Sequence, residues 1–205
     1  MKSPKRLCSI GLLAALVAAA PSTSFAETRS SSPNHSATIL EILTETDGAQ
    51  AVVAAALVVD EAGVLDFSLA ELLADKRSEV ILLAPSNAAF ENLLGLEPGT
   101  LDGLTIEQAK DALPGLLPTG VGPDEVAAIL LKHAALPKRA SKSTASAEAL
   151  LRQGVIHVAD GSQYPVGVGG AGVAINYETT IIKPDSFAKN GVVHFIDTVI
   201  IDGLL

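Results

Sequence analysis

The sequence predicts an α+β domain on three observations. Helix-start signatures and apolar residues at helical spacing dominate the stretch from Thr38 to about Leu136. The second half turns to short Val-, Ile- and Thr-rich runs broken by Gly, Pro and Asn. One further run, Val80 to Ala84, lies alone among the helical segments. Helices gathered ahead of strands, rather than alternating with them, favour α+β over a doubly wound α/β sheet.

The chain opens with a segment outside this pattern. MKSPKRLCSIGLLAALVAAAPSTSFA carries Lys2, Lys5 and Arg6, then an apolar run, then small residues ending at Ala26. That is the layout of a secretory signal peptide over residues 1–26, and the run is shorter than the ~20 apolar residues of a membrane span. Residues 27–35 read as a flexible polar lead-in, with a glycosylation sequon at Asn34. Cleavage would remove Cys8, the single cysteine, leaving a chain held by its core alone. Loss of three basic residues would leave 11 Lys and Arg against 23 Asp and Glu. So acidic a balance disfavours nucleic acid and anionic membrane surfaces as partners.

Three helix starts place an oxygen side chain three residues before Glu or Gln, where the pair can satisfy open backbone N–H groups. They are Thr38 with Glu41, Ser68 with Glu71, and Thr105 with Gln108. Ala49 to Val59 is so apolar that the helix it predicts is largely buried. Another begins at Pro123, where proline suits the first turn, and runs through AAILLKHAAL. The Gly- and Pro-rich segment between Phe90 and Ile129 reads as one short helix between exposed loops, and ALPKRASKSTASAEA as a solvated loop. Val80 to Ala84, stopped by Pro85, is a buried strand, with Ser86 capping the helix NAAFENLL. GVIHVA, YPVGV, GVAINY, TTIIK and GVVHFIDTVII supply the later strands.

Motifs suggesting chemistry have structural readings. Gly167, Gly169 and Gly172 satisfy G-x-G-x-x-G, but the β-like VAINYETTIIK follows where a nucleotide site needs a helix; a Gly-rich hairpin is expected. No G-x-S-x-G elbow is present. His157 and Asp160, like His194 and Asp197, stand three apart. Side chains alternate along a strand, so neither pair shares a face. His194 groups with Val192, Ile196 and Ile200; Asp197 groups with Val193, Phe195 and Val199. Each polar group is expected to tie its strand to neighbouring backbone rather than meet a shared reactant or metal.

VILLAPSNAAFENLL at 80–94 resembles the first signature of the fasciclin domain family, and NGVVHFIDTVII at 190–201 is similar to its second. ILLKHAAL at 129–136 is similar to the family's central Tyr-His segment, with Lys132 where Tyr usually stands. The resemblance spans residues 36–205 as one domain. It implies a wedge of two packed β-sheets with helices gathered on one side, and Asn87, His133, His194 and Asp197 as framework residues.

It also implies a non-enzymatic module for cell adhesion or extracellular-matrix binding, with a protein or glycan partner; a chain of one domain's length would then need weak self-association or other multivalent contacts. No catalytic, cofactor or metal residue is expected. Some family members bind integrins through an Asp-containing peptide before the second signature or through the Tyr-His segment. The matching positions are Pro184, Asp185 and Lys132, with Ser186 where those peptides carry an aliphatic residue. Two other classes are a carrier of a small apolar ligand, suggested by the helix at 49–59, and a hydrolase. Export would place the protein in the periplasm, at the cell surface or outside the cell.

Overall fold

A computed structural model describes residues 36–137, 142–170 and 172–201. The signal-peptide and lead-in readings, with the Asn34 sequon, lie outside the described residues. Six helices surround one early strand before the β-rich half. In chain order they are α1 (Ile39–Glu45), α2 (Gln50–Ala62), α3 (Leu69–Ala74), β1 (Val80–Pro85), α4 (Asn87–Leu94), α5 (Ile106–Leu116) and α6 (Pro123–His133). Then follow β2 (Ala134–Ala135), α7 (Lys142–Ala145), α8 (Ala147–Gln153), β3 (Val155–His157), β4 (Gln163–Gly169), β5 (Gly172–Ile175), β6 (Thr179–Ala188) and β7 (Gly191–Ile196).

The capping chemistry accounts for most helix starts. Thr38 with Glu41, and Thr105 with Gln108, form reciprocal capping boxes, and Ser86 Oγ accepts the Ala89 N–H. The Ser68 box is only half made. Ser68 Oγ accepts the Glu71 N–H, while Asp60, at the end of α2, accepts the Leu69 and Ala70 N–H groups. Helix α2 is buried almost all round and packs against α3, α5 and α6. Its apolar residues are therefore core, which accounts for the feature that suggested a ligand carrier.

The seven strands form one hydrogen-bonded series in the order β2-β1-β7-β6-β5-β4-β3. β1 and β7 pair in parallel at its heart, Val80 opposite Gly191 through Pro85 opposite Ile196. Along β1, side chains alternate between two apolar clusters. Val80, Leu82 and Ala84 pack with the helices. Ile81 and Leu83 join Val192 and Ile196 of β7, Ile156 of β3, Tyr164 and Val166 of β4 and Ile175 of β5. The two packed layers expected from the sequence are thus the halves of one continuous series, its far strands sharing a core with β1 and β7.

Two segments depart from the sequence reading. The stretch read as a solvated loop contains α7 and the start of α8, and its Ala145, Ala147 and Ala149 are buried. The stretch after Phe90 does hold one helix, α5, and the loop before it is largely exposed as expected, but it is also anchored. Leu101 is buried there, and Glu91 accepts the Gly99 and Leu101 N–H groups at 2.9 and 2.7 Å. The glycine motif forms the β4–β5 hairpin, Gly169 opposite Gly172, as expected.

Gly191 is where the fold is least tolerant. Its φ of +151° suits glycine, and a Cβ would overlap the Val80 carbonyl of the facing strand. Gly191→Ala is expected to destabilise the domain by roughly 3 kcal/mol or more. The urea midpoint should fall accordingly; a midpoint within error of wild type would refute this account of the β1–β7 contact.

Candidate functional site

The sequence question turns on the last strand. On β7, Val193 and Phe195 face the helix-side cluster, and Val192 and Ile196 the opposite one. His194 falls on the latter side and is fully buried. Its Nδ1 accepts the Asp185 N–H at 3.2 Å, and its Nε2 lies 2.9 Å from the Ala145 carbonyl. A backbone N–H can only donate, so Nδ1 is bare and Nε2–H donates to Ala145. The Asp185 carboxylate is 3.9 Å from Nδ1. Burial nevertheless depresses the imidazole pKa, outweighing the raising effects of the Ala145 carbonyl and the Asp185 charge. His194 is therefore neutral, and the contact with Asp185 is not an ion pair.

Asp197 lies just beyond β7 and is half-buried. Its Oδ1 accepts the Thr180 N–H at 2.7 Å and the Thr198 hydroxyl at 3.1 Å, while its own N–H donates to the Thr180 carbonyl. It ties the end of β7 to the start of β6. The imidazole and the carboxylate thus serve different neighbours.

Buried polar residues elsewhere bind backbone in the same way. His133 closes α6: Nδ1–H donates to Ile129 O at 2.7 Å, and Nε2 accepts the Ile200 N–H at 2.9 Å. This tautomer is the reverse of that in His194. Burial pushes the His133 pKa down to about 4. Asn87, at the start of α4, caps another helix: its Oδ1 accepts the Ala51 N–H at 3.0 Å, where the N-cap of α2 is Ala49, whose methyl group cannot accept a hydrogen bond. Its Nδ2 donates to Gln50 and Asp102.

Sequence reasoning gave Asn190 no role, yet it joins three segments. Its Oδ1 accepts the Ile39 N–H at 2.8 Å, and its Nδ2 donates to Leu73 O and Ser78 Oγ. An Asn-Gly pair reads as turn punctuation, which hides a buried staple. The buried Glu91 likewise has its partners, Gly99 and Leu101, beyond its own helix, where nothing local announces them.

The three residues read as partner contacts are placed differently. Pro184 is exposed on β6. Asp185, in the left-handed region with φ 60°, uses Oδ1 to accept the Ala147 N–H that opens α8. Lys132 is only 11% exposed and pairs with Asp160 at 3.0 Å. Burial disfavours its charge, but the Asp160 carboxylate and the nearby Tyr164 hold the ammonium pKa above its usual value. Asp160 also folds a turn by accepting from the Ser162 N–H and hydroxyl, and its pKa is lowered despite burial. His157, three residues earlier, is exposed on β3, and no hydrogen bond among the described residues gives it the expected tie to backbone.

Among the described residues, no group of three or more His, Cys, Asp or Glu could hold a metal ion. Among them, no helix is long and apolar enough to cross a membrane.

The model of the fasciclin domain family matches residues 62–202. No curated protein matches significantly in sequence. Among solved structures, the chain is similar to a FAS1 domain pair from the insect cell adhesion molecule Fasciclin I, at a TM-score of 0.56 and 14% identity. The match covers 80% of this chain and 50% of that one, so this chain spans about half the length of that relative.

The two buried imidazoles set a pH dependence. Both folded-state pKa values lie below the ordinary 6.5, so the unfolded chain takes up the protons first. Their stabilisation is complete above about pH 6.5 and is lost as pH falls towards 4, His133 alone accounting for about 3 kcal/mol. Urea unfolding between pH 7 and 4 should show this decline, and His133→Gln should flatten it. A pH-independent midpoint over that window would contradict the assignment.

Proposed function

Because the chain belongs to the fasciclin domain family, we propose that it is an exported, non-enzymatic binding module mediating adhesion between cells or to extracellular matrix. Fasciclin domains occur in extracellular or exported proteins and are generally adhesion-type domains without catalysis, and the signal-peptide layout of residues 1–26 fits export. The observation that carries this reading is the separate engagement of His194 and Asp197. A general base and its orienting carboxylate need to converge on one reacting atom. Here the imidazole spends both nitrogens on backbone of β6 and α7, while the carboxylate holds Thr180.

Binding on this reading resides in exposed loops carried by a rigid framework. The partner is a protein or glycan at the cell surface. Several weak contacts at once give useful avidity, so weak self-association belongs to the same proposal.

Fluorescently labelled full-length protein, incubated with cells of its own source, should bind saturably and resist washing. Expression of the whole chain with a periplasmic or secreted readout should deliver it across the membrane. Binding no greater than that of an inert acidic protein, or retention in the cytoplasm, would overturn the proposal.

A further inference from the structure

A cleft of about 310 Å³ opens where the β5–β6 turn, the segment after β7 and helix α4 meet. Its lining divides by chemistry. Leu93, Val199 and Ile201 supply an apolar wall, and Asn92, Glu178 and Asp197 supply acceptors. Among the described residues no lysine or arginine lines it, so two acidic residues meet there without a basic one.

Asp197 is held in a fixed orientation. Both hydrogen bonds it accepts, from the Thr180 N–H and the Thr198 hydroxyl, fall on Oδ1. Among the described residues its Oδ2 accepts none, although the residue lines the cleft. The opposite rim is the tight turn that presents Glu178, in which Asn176 and Tyr177 adopt φ of 53° and 64°. A pre-set acceptor loses little freedom when a donor arrives.

We infer that this cleft receives a cationic side chain, the ammonium of a lysine or the guanidinium of an arginine on a partner protein. The carboxylates would take the charged head in charge-assisted hydrogen bonds, and the apolar wall would take the methylene stem. A sulfated or carboxylated glycan is disfavoured by the same acceptor-only charge. The inference gives the adhesion reading a place and a partner chemistry, and it rests on that reading for the partner being a protein.

The probes are Nα-acetyl-arginine amide and Nα-acetyl-lysine amide, titrated into the full chain and followed by amide NMR shifts. Nα-acetyl-glutamine amide is the uncharged control. Shifts confined to Asn92–Leu93, Asn176–Thr179 and Asp197–Ile201, weakening with added salt, are expected for one or both cations and not for the control. The stronger of the two cations tells ammonium from guanidinium. Glu178 is exposed and bonds no other described residue, so Glu178→Gln should leave the spectrum folded and weaken binding about fivefold, the effect of one solvent-exposed unit charge at contact distance.

Absent shifts, shifts scattered over the acidic surface, or equal shifts with the glutamine probe would overturn the site. Unchanged affinity in Glu178→Gln would do the same. Cell binding by the wild type without probe binding removes the site and leaves the adhesion reading. Probe binding without cell binding does the reverse.

Discussion

The parallel contact between β1 and β7 is the constraint on which the rest of this domain depends. The two strands come from distant parts of the chain and lie side by side, buried on both faces. Parallel strands need a long crossover, and here it runs from α4 through β6. Each face of the pair then needs its own apolar cover. Helices supply one, and the returning strands β3, β4 and β5 supply the other. Gly191 permits the close approach, and Asn190 beside it ties the same junction to α1 and α3.

Such a junction brings helix ends and strand ends into the interior, where each unpaired backbone group costs about 1–3 kcal/mol. The domain meets that cost with a small set of buried polar side chains. His194 joins β6 to α7, His133 joins α6 to the segment after β7, and Asn87 caps α2 from another helix. Each of these side chains is engaged by backbone at more than one point or across distant segments, which leaves it little freedom to act on a substrate. The same saturation directs attention to the surface, where acceptors such as Asp197 Oδ2 retain capacity.

The sequence made the fold class legible because its signals were local. Capping pairs at Thr38 and Thr105, Pro123 at the start of α6 and the Pro85-terminated strand all declare themselves within a few residues. Alternation along GVVHFID placed His194 and Asp197 among different neighbours before any contact was known. What remained hidden was long-range. Asn87 reaches Ala51 and Asn190 reaches Ile39, and nothing near either asparagine in sequence announces such partners. Asp185 and Lys132 match the family's contact positions, but their ties to the Ala147 N–H and to Asp160 cross to distant segments and leave no local signal. Helices α7 and α8 were obscured by a Ser-rich composition that reads as loop.

The central claim is that the two buried imidazoles are neutral pegs, each with its tautomer dictated by one incoming backbone N–H. Long-range proton–nitrogen correlation NMR at pH 7 tests it most directly. One ring should carry its proton on Nε2 and the other on Nδ1, corresponding to His194 and His133. A charged ring, or rapid averaging between tautomers in either residue, would contradict the account.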